Sequence, residues 1–186
     1  MKITVVTSNA HKAVEVAAFF CGTLDVAHVA LDIPEHRSED VCEIAREKAR
    51  YAYDCLHIPL IVDDTSFCID ALNGFPGPYA AYVLKAIGNA GILKLMDGIT
   101  NRNAHFTTAI AYADDTGIRV FPGTIHGRII TDPRGTGGFG YDPIFEVDCR
   151  TLAELPLEEK SRMSHRALAL TAFRDWFVRQ YATGNR

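Results

Sequence analysis

The feature that most constrains this chain is the stretch from residue 60 to residue 79, LIVDDTSFCIDALNGFPGPY. Its opening apolar run, Leu60-Ile61-Val62, predicts the end of a buried strand. Asp63 and Asp64 follow at once, and neighbours on a strand point to opposite faces, so we expect one to face a cleft and the other to face elsewhere. Carboxylates at a strand end suit a hard cation such as Mg²⁺. The alternative interpretation of this pair is a solvated turn.

The beginning of the chain predicts a strand, a polar turn and a helix. Residues 2–6 are rich in β-branched side chains, TSNAHK follows at 7–12, and a helical pattern covers about 11–20, with Ser8 or Asn9 as its N-cap. Free backbone N–H groups at a helix start form an anion site, to which Lys12 adds a full charge. The P-loop signature is absent, and an ordinary capped helix is the alternative.

The next two elements bring in a candidate carboxylate, Glu35, and a candidate cation, Lys48. Residues 26–33 predict a second strand, and a helix is expected from about Ser38 to Leu56. Glu35 follows the strand as a candidate second metal carboxylate, or as a solvated loop acid. Lys48 lies on or beside the apolar stripe of the helix, where it either extends to water or points into a cleft toward an anion.

The second half predicts helices at 78–87 and 90–97, broken at Gly88-Asn89, and a β-hairpin formed by 103–113 and 117–125. The glycine-rich segment 133–145, PRGTGGFGYDPIF, permits close approach of its backbone to a ligand, and Phe139 and Tyr141 are candidates for stacking on a flat ring. A flexible surface loop is the alternative.

The C-terminal helix is predicted to begin after an N-cap at Ser164, with His165 and Arg166 in its first turn. Positive charge is unfavourable at a helix N-terminus, so these residues suggest an anion or a polar ligand nearby, with Lys160 one turn earlier. The apolar side of the helix is expected to be core: Ala169, Phe173, Trp176 and Phe177.

Composition excludes several classes of function. A length of 186 residues suits a single domain, and a net charge of −4 argues against binding nucleic acid or an anionic membrane. The five scattered cysteines form no CxxC motif, which favours reduced thiols in a cytoplasmic protein over disulfides or zinc. The first apolar run is too short for a signal peptide, and none is long enough to span a membrane.

Four separated segments together resemble the inosine triphosphate pyrophosphatase family. They are TSNAHK at 7–12, VDDTSFCIDALNGFPGPY at 62–79, PRGTGGFGYDPIF at 133–145 and EEKSRMSHRA at 158–167. Two departures are mild: residues 65–67 read Thr-Ser-Phe where many bacterial members have Ser-Gly-Leu, and Ser8 stands where many members have glycine.

The resemblance implies an α/β fold with an elongated, curved mixed sheet and flanking helices, in which residues 1–186 form a single domain with two lobes and the active cleft between them. It also implies a cytoplasmic homodimer that binds neither nucleic acid nor membrane. The expected reaction is Mg²⁺-dependent hydrolysis of ITP, dITP or XTP to the monophosphate and pyrophosphate.

The resemblance also implies roles for individual residues. Asp64 is the expected general base or metal ligand, Glu35 the other metal carboxylate, and Lys48 a catalytic cation. Arg166 is expected to pair with the six-keto oxygen of hypoxanthine and to meet the amino donor of adenine unfavourably. The implied substrate-binding residues are Thr7, Ser8, Asn9, Ala10, His11, Lys12, Lys48, Thr65, Phe139, Gly140, Tyr141, Asp142, Lys160, His165 and Arg166.

Two other classes of function stay open. One is a Maf-like pyrophosphatase acting on other modified nucleotides, and the other is a nucleotide-binding module without catalysis. The intact Asp63-Asp64 pair and the lysines argue against the second class.

Overall fold

The computed structural model describes residues 2–182, which form one mixed β-sheet flanked by helices. The strands are β1 Lys2–Val6, β2 Asp25–Val29, β3 Leu60–Ile69, β4 Pro76–Gly77, β5 Asn103–Asp114, β6 Gly117–Ile129, β7 Phe145–Val147 and β8 Arg150–Thr151. The helices are α1 Ala10–Phe20, α2 Val41–Leu56, α3 Ala80–Leu95, α4 Leu157–Met163 and α5 His165–Ala182.

The strand order is β2-β1-β3-β5-β6-β7-β8, with β4 beside β3. Strand β1 runs parallel to β2 and β3, whereas every other pair is antiparallel. This arrangement confirms the predicted α/β class with a mixed sheet. That the domain extends over all of residues 1–186 stays a prediction, because Met1 and residues 183–186 lie outside the described residues.

Strand β3 is longer than its apolar run predicts. Its antiparallel pairing with β5 continues from Leu60 to Ile69, so the prediction that a strand ends just before Asp63 is wrong. Two shorter strands leave a gap along the opposite edge of β3, since β1 pairs only with Leu60 and Ile61 and β4 only with Phe67 and Cys68. The aspartates therefore lie in the middle of β3 but beside the carboxyl end of β1.

The alternation of side chains along β3 assigns its residues to two faces of the sheet. Leu60 and Val62 pack in a cluster with the buried alanines of α2. Ile61 packs in a second cluster with residues of α1 and α5, including Phe20 and Phe173. A third cluster, around Phe67 and Ile69, buries part of α3 at the other end of the sheet. The predicted core face of α5 is confirmed, with Ala169, Phe173 and Phe177 buried and Trp176 packed against them.

The helix starts follow from their caps. The Asn9 side chain accepts hydrogen bonds from the backbone N–H groups of His11 and Lys12, so Asn9 is the cap of α1. Asp40 caps α2, which begins three residues later than predicted, and β2 ends at Val29 rather than at residue 33. An irregular loop over residues 30–40 therefore connects β2 to α2.

The other element predictions agree with the structure. Gly88 interrupts α3 with φ 62° and ψ −174°, which confirms the predicted break. The β5–β6 hairpin is confirmed, and Ser164 Oγ accepts a hydrogen bond from the Ala167 N–H at the start of α5. None of the helices in the described part of the chain is both long and apolar enough to cross a membrane.

Candidate active site

A cleft of about 620 Å³ opens beside the exposed edge of β3. Its walls come from the β1–α1 turn, the 30–40 loop, α2, the start of α3, the glycine-rich segment and the α4–α5 junction. It brings together most of the residues singled out from the sequence: Thr7, Ser8, Asn9, Lys12, Glu35, Lys48, Asp64, Thr65, Phe139, Gly140, Tyr141, Asp142, Lys160, His165 and Arg166.

Two of the predicted substrate-binding residues are not among those lining the cleft in the described structure. Ala10 is exposed on the first turn of α1. The ring of His11 stacks on that of Phe139 instead, with 5.1 Å between centroids and an interplanar angle of 15°. His11 therefore contacts the edge of the site through Phe139.

The side chains of Asp63 and Asp64 leave β3 on opposite faces of the sheet. Asp63 shares its face with Ile61 and binds Lys12 of α1 at 2.5 Å and Arg166 of α5 at 2.6 Å. Asp64 points toward α2 and binds Lys48 Nζ at 2.6 Å. Both aspartates line the cleft, so the prediction that one of them faces elsewhere is wrong. The open edge of β3 explains this, because a ligand there reaches both faces of the strand.

Buried ion pairs of alternating sign connect α1, β3, α4, α5 and the glycine-rich segment around the cleft. Asp63 joins Lys12 to Arg166, and Glu15 joins Arg166 to Lys160, whose Nζ lies 2.6 Å from Glu15 Oε1. Lys160 Nζ in turn lies 2.7 Å from the Asp142 carboxylate. We call this set the charge chain; in order, its members are Lys12, Asp63, Arg166, Glu15, Lys160 and Asp142.

The charge chain carries equal numbers of positive and negative side chains, and each of them is at most 16% exposed. Burial alone would raise the pKa of the Asp63 carboxyl, but the charges of Arg166 and Lys12 hold it well below its usual range. Burial raises the pKa of Asp142, which Lys160 and the Phe139 N–H partly oppose. Asp63 is thus a fixed anion, committed to two cations, and is poorly suited to act as a base.

The glycine-rich segment contributes two aromatic residues to the cleft lining, Phe139 and Tyr141, whose surroundings differ. The Asp142 carboxylate accepts a hydrogen bond from the Phe139 N–H at 2.7 Å, and Lys160 Nζ lies 4.8 Å from the centroid of the Phe139 ring. Tyr141 is a core residue, since its ring stacks on Phe67 and its hydroxyl donates to the carbonyl of Ala80. Phe139 is therefore the ring available to a planar ligand.

A residue that the sequence analysis did not select holds this segment in place. The Asn89 side-chain amide donates to the carbonyl of Gly140 at 3.1 Å. Asn89 is oriented by the break at Gly88, which turns the second half of α3 relative to the first. The break thus contributes to the position of Phe139.

Lys48 holds two carboxylates at the other side of the cleft. Its Nζ lies 2.6 Å from Asp64 Oδ2 and 3.0 Å from Glu35 Oε2. Burial lowers the pKa of Lys48, but Asp64 and Glu35 outweigh it and raise that pKa above its ordinary value. Two hard oxygen donors that contact one ammonium group would serve as ligands for a divalent cation placed between them.

The two carboxylates around Lys48 suit a metal ion that the protein coordinates only in part, as is usual for Mg²⁺. Among the described residues, no group of three or more histidine, cysteine, aspartate or glutamate side chains is placed to hold a metal. Mg²⁺ is usually held by one or two carboxylates and completes its shell with water and substrate phosphates. Glu35 and Asp64 are the residues that fit this pattern.

His165 is a buried residue of the cleft wall. Its Nδ1 lies 2.6 Å from the Thr108 hydroxyl, and its ring stacks on Phe106. Burial, followed by the charge of Arg166, holds the pKa of His165 well below its usual value of 6.5. The imidazole is therefore neutral at pH 7.

This depressed pKa predicts a loss of stability in mild acid. Below pH 6.5 the unfolded chain binds a proton at His165 that the folded protein excludes, so stability is present above that pH and lost as pH falls. The free energy of unfolding from this residue should fall by up to about 1.4 kcal/mol per pH unit. Urea denaturation between pH 7 and pH 5 measures the slope. His165→Asn should flatten this slope, whereas His36→Asn, a substitution in the exposed loop, should leave it unchanged. Equal slopes in the wild type and both variants would contradict this account.

The sequence analysis missed Glu15 because an acid on the buried face of α1 has no motif of its own. Its helical spacing from Lys12 is the one signal available, since residues three apart lie on the same face of a helix. Asp32 was missed because the strand was expected to run through residues 26–33, and Arg37 because it lies between the two predicted elements without a motif of its own; both line the cleft.

Comparisons with known proteins agree with the fold and with the family resemblance. The model of the Ham1 family matches residues 3–176 of the chain. A dITP/XTP pyrophosphatase of Methanopyrus kandleri is 46% identical over 188 residues, covering 98% of this chain and 99% of that protein. Inosine triphosphate pyrophosphatase 1 of Trypanosoma cruzi is 45% identical, over 95% of this chain and 92% of that protein.

A solved structure supports the same relation. A HAM1 protein from Coxiella burnetii is 29% identical and superposes with a TM-score of 0.84, covering 96% of this chain and 99% of that chain. These matches span nearly the whole sequence, and they confirm the resemblance seen in the four segments.

Proposed function

The chain belongs to the Ham1 family, and on this premise we propose that it is a nucleoside-triphosphate pyrophosphatase. Its substrates are deaminated purine nucleotides, ITP, dITP and XTP, which it hydrolyses to the monophosphate and pyrophosphate, keeping them out of DNA and RNA. The names of the relatives from Methanopyrus kandleri and Trypanosoma cruzi support this choice. The observation that carries the proposal is a single cleft with Phe139 and the charge chain on one side and the Asp64–Lys48–Glu35 cluster on the other.

The base is proposed to stack on Phe139, with donors of the charge chain at its edge. Arg166 Nη1 has one contact in the described structure, to Glu15, so its second N–H group remains available for a ligand. A six-keto oxygen accepts from such a donor, whereas the six-amino group of adenine does not. A buried polar mismatch of this kind discriminates by roughly 10⁴ in kcat/KM.

The phosphates are proposed to lie against the 7–12 turn, Lys12 and Lys48. Charge that develops in phosphoryl transfer is stabilised mainly by fixed electrostatics, which these cations and the N–H groups at the start of α1 supply. Asp64 is the proposed base for the attacking water, because Asp63 is committed to Arg166 and Lys12. When bound at Glu35 and Asp64, Mg²⁺ would neutralise phosphate charge.

A substrate panel tests the proposal. We expect kcat/KM for ITP, dITP and XTP to exceed that for ATP by about 10⁴, as estimated for a buried donor mismatch. A preference for other modified nucleotides would favour a Maf-like enzyme. Binding of ITP without turnover would favour a nucleotide-binding module.

Chelation should abolish the activity. Because Mg²⁺ is proposed to be held by only two carboxylates and the substrate, excess EDTA should remove it, and added Mg²⁺ should restore turnover. Ca²⁺ should restore little, since it is larger and tolerates irregular coordination. Chromatographic quantification of inosine monophosphate, which needs no metal-dependent coupling enzyme, measures this. Full turnover in excess EDTA would contradict a metal requirement.

Arg166→Ala should lower kcat/KM for ITP far more than for ATP, because it removes a donor to the six-keto oxygen. Arg162→Ala is the matched control, since Arg162 is an exposed arginine of α4 that pairs with Glu158. Steady-state kinetics with both nucleotides measure the difference, and circular dichroism checks folding. Equal losses on ITP and ATP would instead place Arg166 on the phosphates.

We also propose that the protein is a cytoplasmic homodimer. The five free cysteines support a reducing compartment, and exposed apolar side chains outside the cleft lining, Phe75, Ile87 and Leu95, support a surface for a second copy. Sedimentation equilibrium measures the oligomeric state directly.

A further inference from the structure

We propose that Arg37, on the loop between β2 and α2, binds the terminal phosphate of the substrate. This assignment rests on the proposed function. The lysine and arginine residues that line the cleft are Lys12, Arg37, Lys48, Lys160 and Arg166. In the described part of the chain, four of them form ion pairs with carboxylates, and Arg37 alone forms none.

A succession of contacts runs along the cleft from Phe139 to Glu35. Arg166 lies over Phe139, and Asp63 connects it to Lys12. The next residue of β3, Asp64, forms an ion pair with Lys48, and Lys48 forms a second ion pair with Glu35.

Glu35 is the last residue in this succession of contacts, and Arg37 follows it by two positions in the sequence. If the base stacks on Phe139, the opposite end of a nucleoside triphosphate is its terminal phosphate. The position of Arg37 along the cleft therefore matches the last phosphate of the substrate.

The ion-paired side chains in and beside the cleft do not by themselves provide positive charge for a terminal phosphate. Glu15, Asp63, Asp64, Asp142 and Glu35 together outnumber their four partners, Lys12, Lys48, Lys160 and Arg166, by one negative charge. A terminal phosphate adds about −1.5 to −2 at pH 7, and together with that excess this is more negative charge than Mg²⁺ at Glu35 and Asp64 would offset.

Arg37 supplies an uncommitted positive charge, and its planar fork of N–H groups suits bidentate contact with phosphate oxygens. Arg37 is exposed on its loop, so it is free to make that contact without breaking an ion pair of the folded protein.

The test compares inosine triphosphate with inosine diphosphate, which lacks the terminal phosphate but keeps the bond that is cleaved. Arg37→Ala should lower kcat/KM for the triphosphate by roughly 10- to 100-fold, the loss expected for a hydrogen bond between charged groups. The loss for the diphosphate should be less than about threefold, within ordinary context effects. Arg37→Lys should recover part of the loss, because a point charge replaces the fork.

Arg46→Ala is the matched control. Arg46 is exposed on α2, does not line the cleft in the described structure, and its loss changes the net charge equally. It should leave both substrates unaffected. A matching loss in Arg46→Ala would assign the effect to the overall field of the protein and overturn the proposal.

Two further outcomes for Arg37→Ala would overturn it: equal losses on both substrates, or no loss on either. If the wild-type protein hydrolyses neither nucleotide, the proposed function itself fails and the assignment of Arg37 falls with it. An active wild type with an unaffected Arg37→Ala variant refutes only the assignment.

Discussion

Asp64→Asn is expected to lower kcat for ITP by roughly 10²–10⁴, the range for loss of general-base catalysis. The substitution keeps the shape of the side chain and its ability to accept the Thr65 N–H, which lies 2.9 Å from Asp64 Oδ1. It removes the negative charge and the base. Lys48 keeps Glu35 as a partner, so the loss of one carboxylate does not leave a lysine unpaired. Steady-state kinetics at saturating ITP measure the change.

Metal dependence separates the two roles of Asp64. If Asp64 only holds Mg²⁺, raising the metal concentration should recover much of the activity of the variant; if it activates water, activity should stay low. Asp70→Asn, which changes an exposed acid just after β3, is the charge-matched control and should behave as wild type. A folded, metal-replete Asp64→Asn protein with a near wild-type rate would contradict the assignment of the base.

Glu15→Gln is expected to cost about 3–5 kcal/mol of unfolding free energy, because it breaks a buried ion-pair network. Glu15 is the anion between two cations, and its side chain is 8% exposed. A glutamine there removes the charge and directs an amide donor at Arg166 or Lys160, which are donors themselves. Those two cations then repel each other in a poorly solvated site.

Urea denaturation at pH 7 measures this cost. Glu158→Gln is the matched control, since the Glu158 side chain is 80% exposed and pairs with Arg162 on the surface of α4. Such a pair contributes at most about 1 kcal/mol. Equal stability losses in the two variants would show that the charge chain does not hold α1, α4 and α5 together.

The sequence was sufficient to predict most of the fold, because the strongest signals are local. The hairpin turn, the break at Gly88 and the Asn9 cap depend on short-range geometry, and all three agree with the structure. The length of β3 could not be predicted, since its polar residues stay in the strand only through their pairing with β5. That pairing joins segments about forty residues apart in the chain.

The site could be predicted only in part, because several of its contacts also join segments that are far apart in the sequence. The cations at the start of α5 indicated an unidentified negative partner, and the structure identifies carboxylates on α1 and β3 as that partner. Glu15 carries no motif, and its role depends on how α1 packs against α5. The placement of Arg37 depends on where β2 ends, which no local signal marks.

The most direct test of the central claim is ³¹P NMR of the products formed from ITP with Mg²⁺. Hydrolysis between the α- and β-phosphates gives inosine monophosphate and pyrophosphate in equal amounts, and this product pair should disappear with Asp64→Asn. Inosine diphosphate and inorganic phosphate as the first products would mean that the terminal bond is cleaved, and would contradict the account of the cleft.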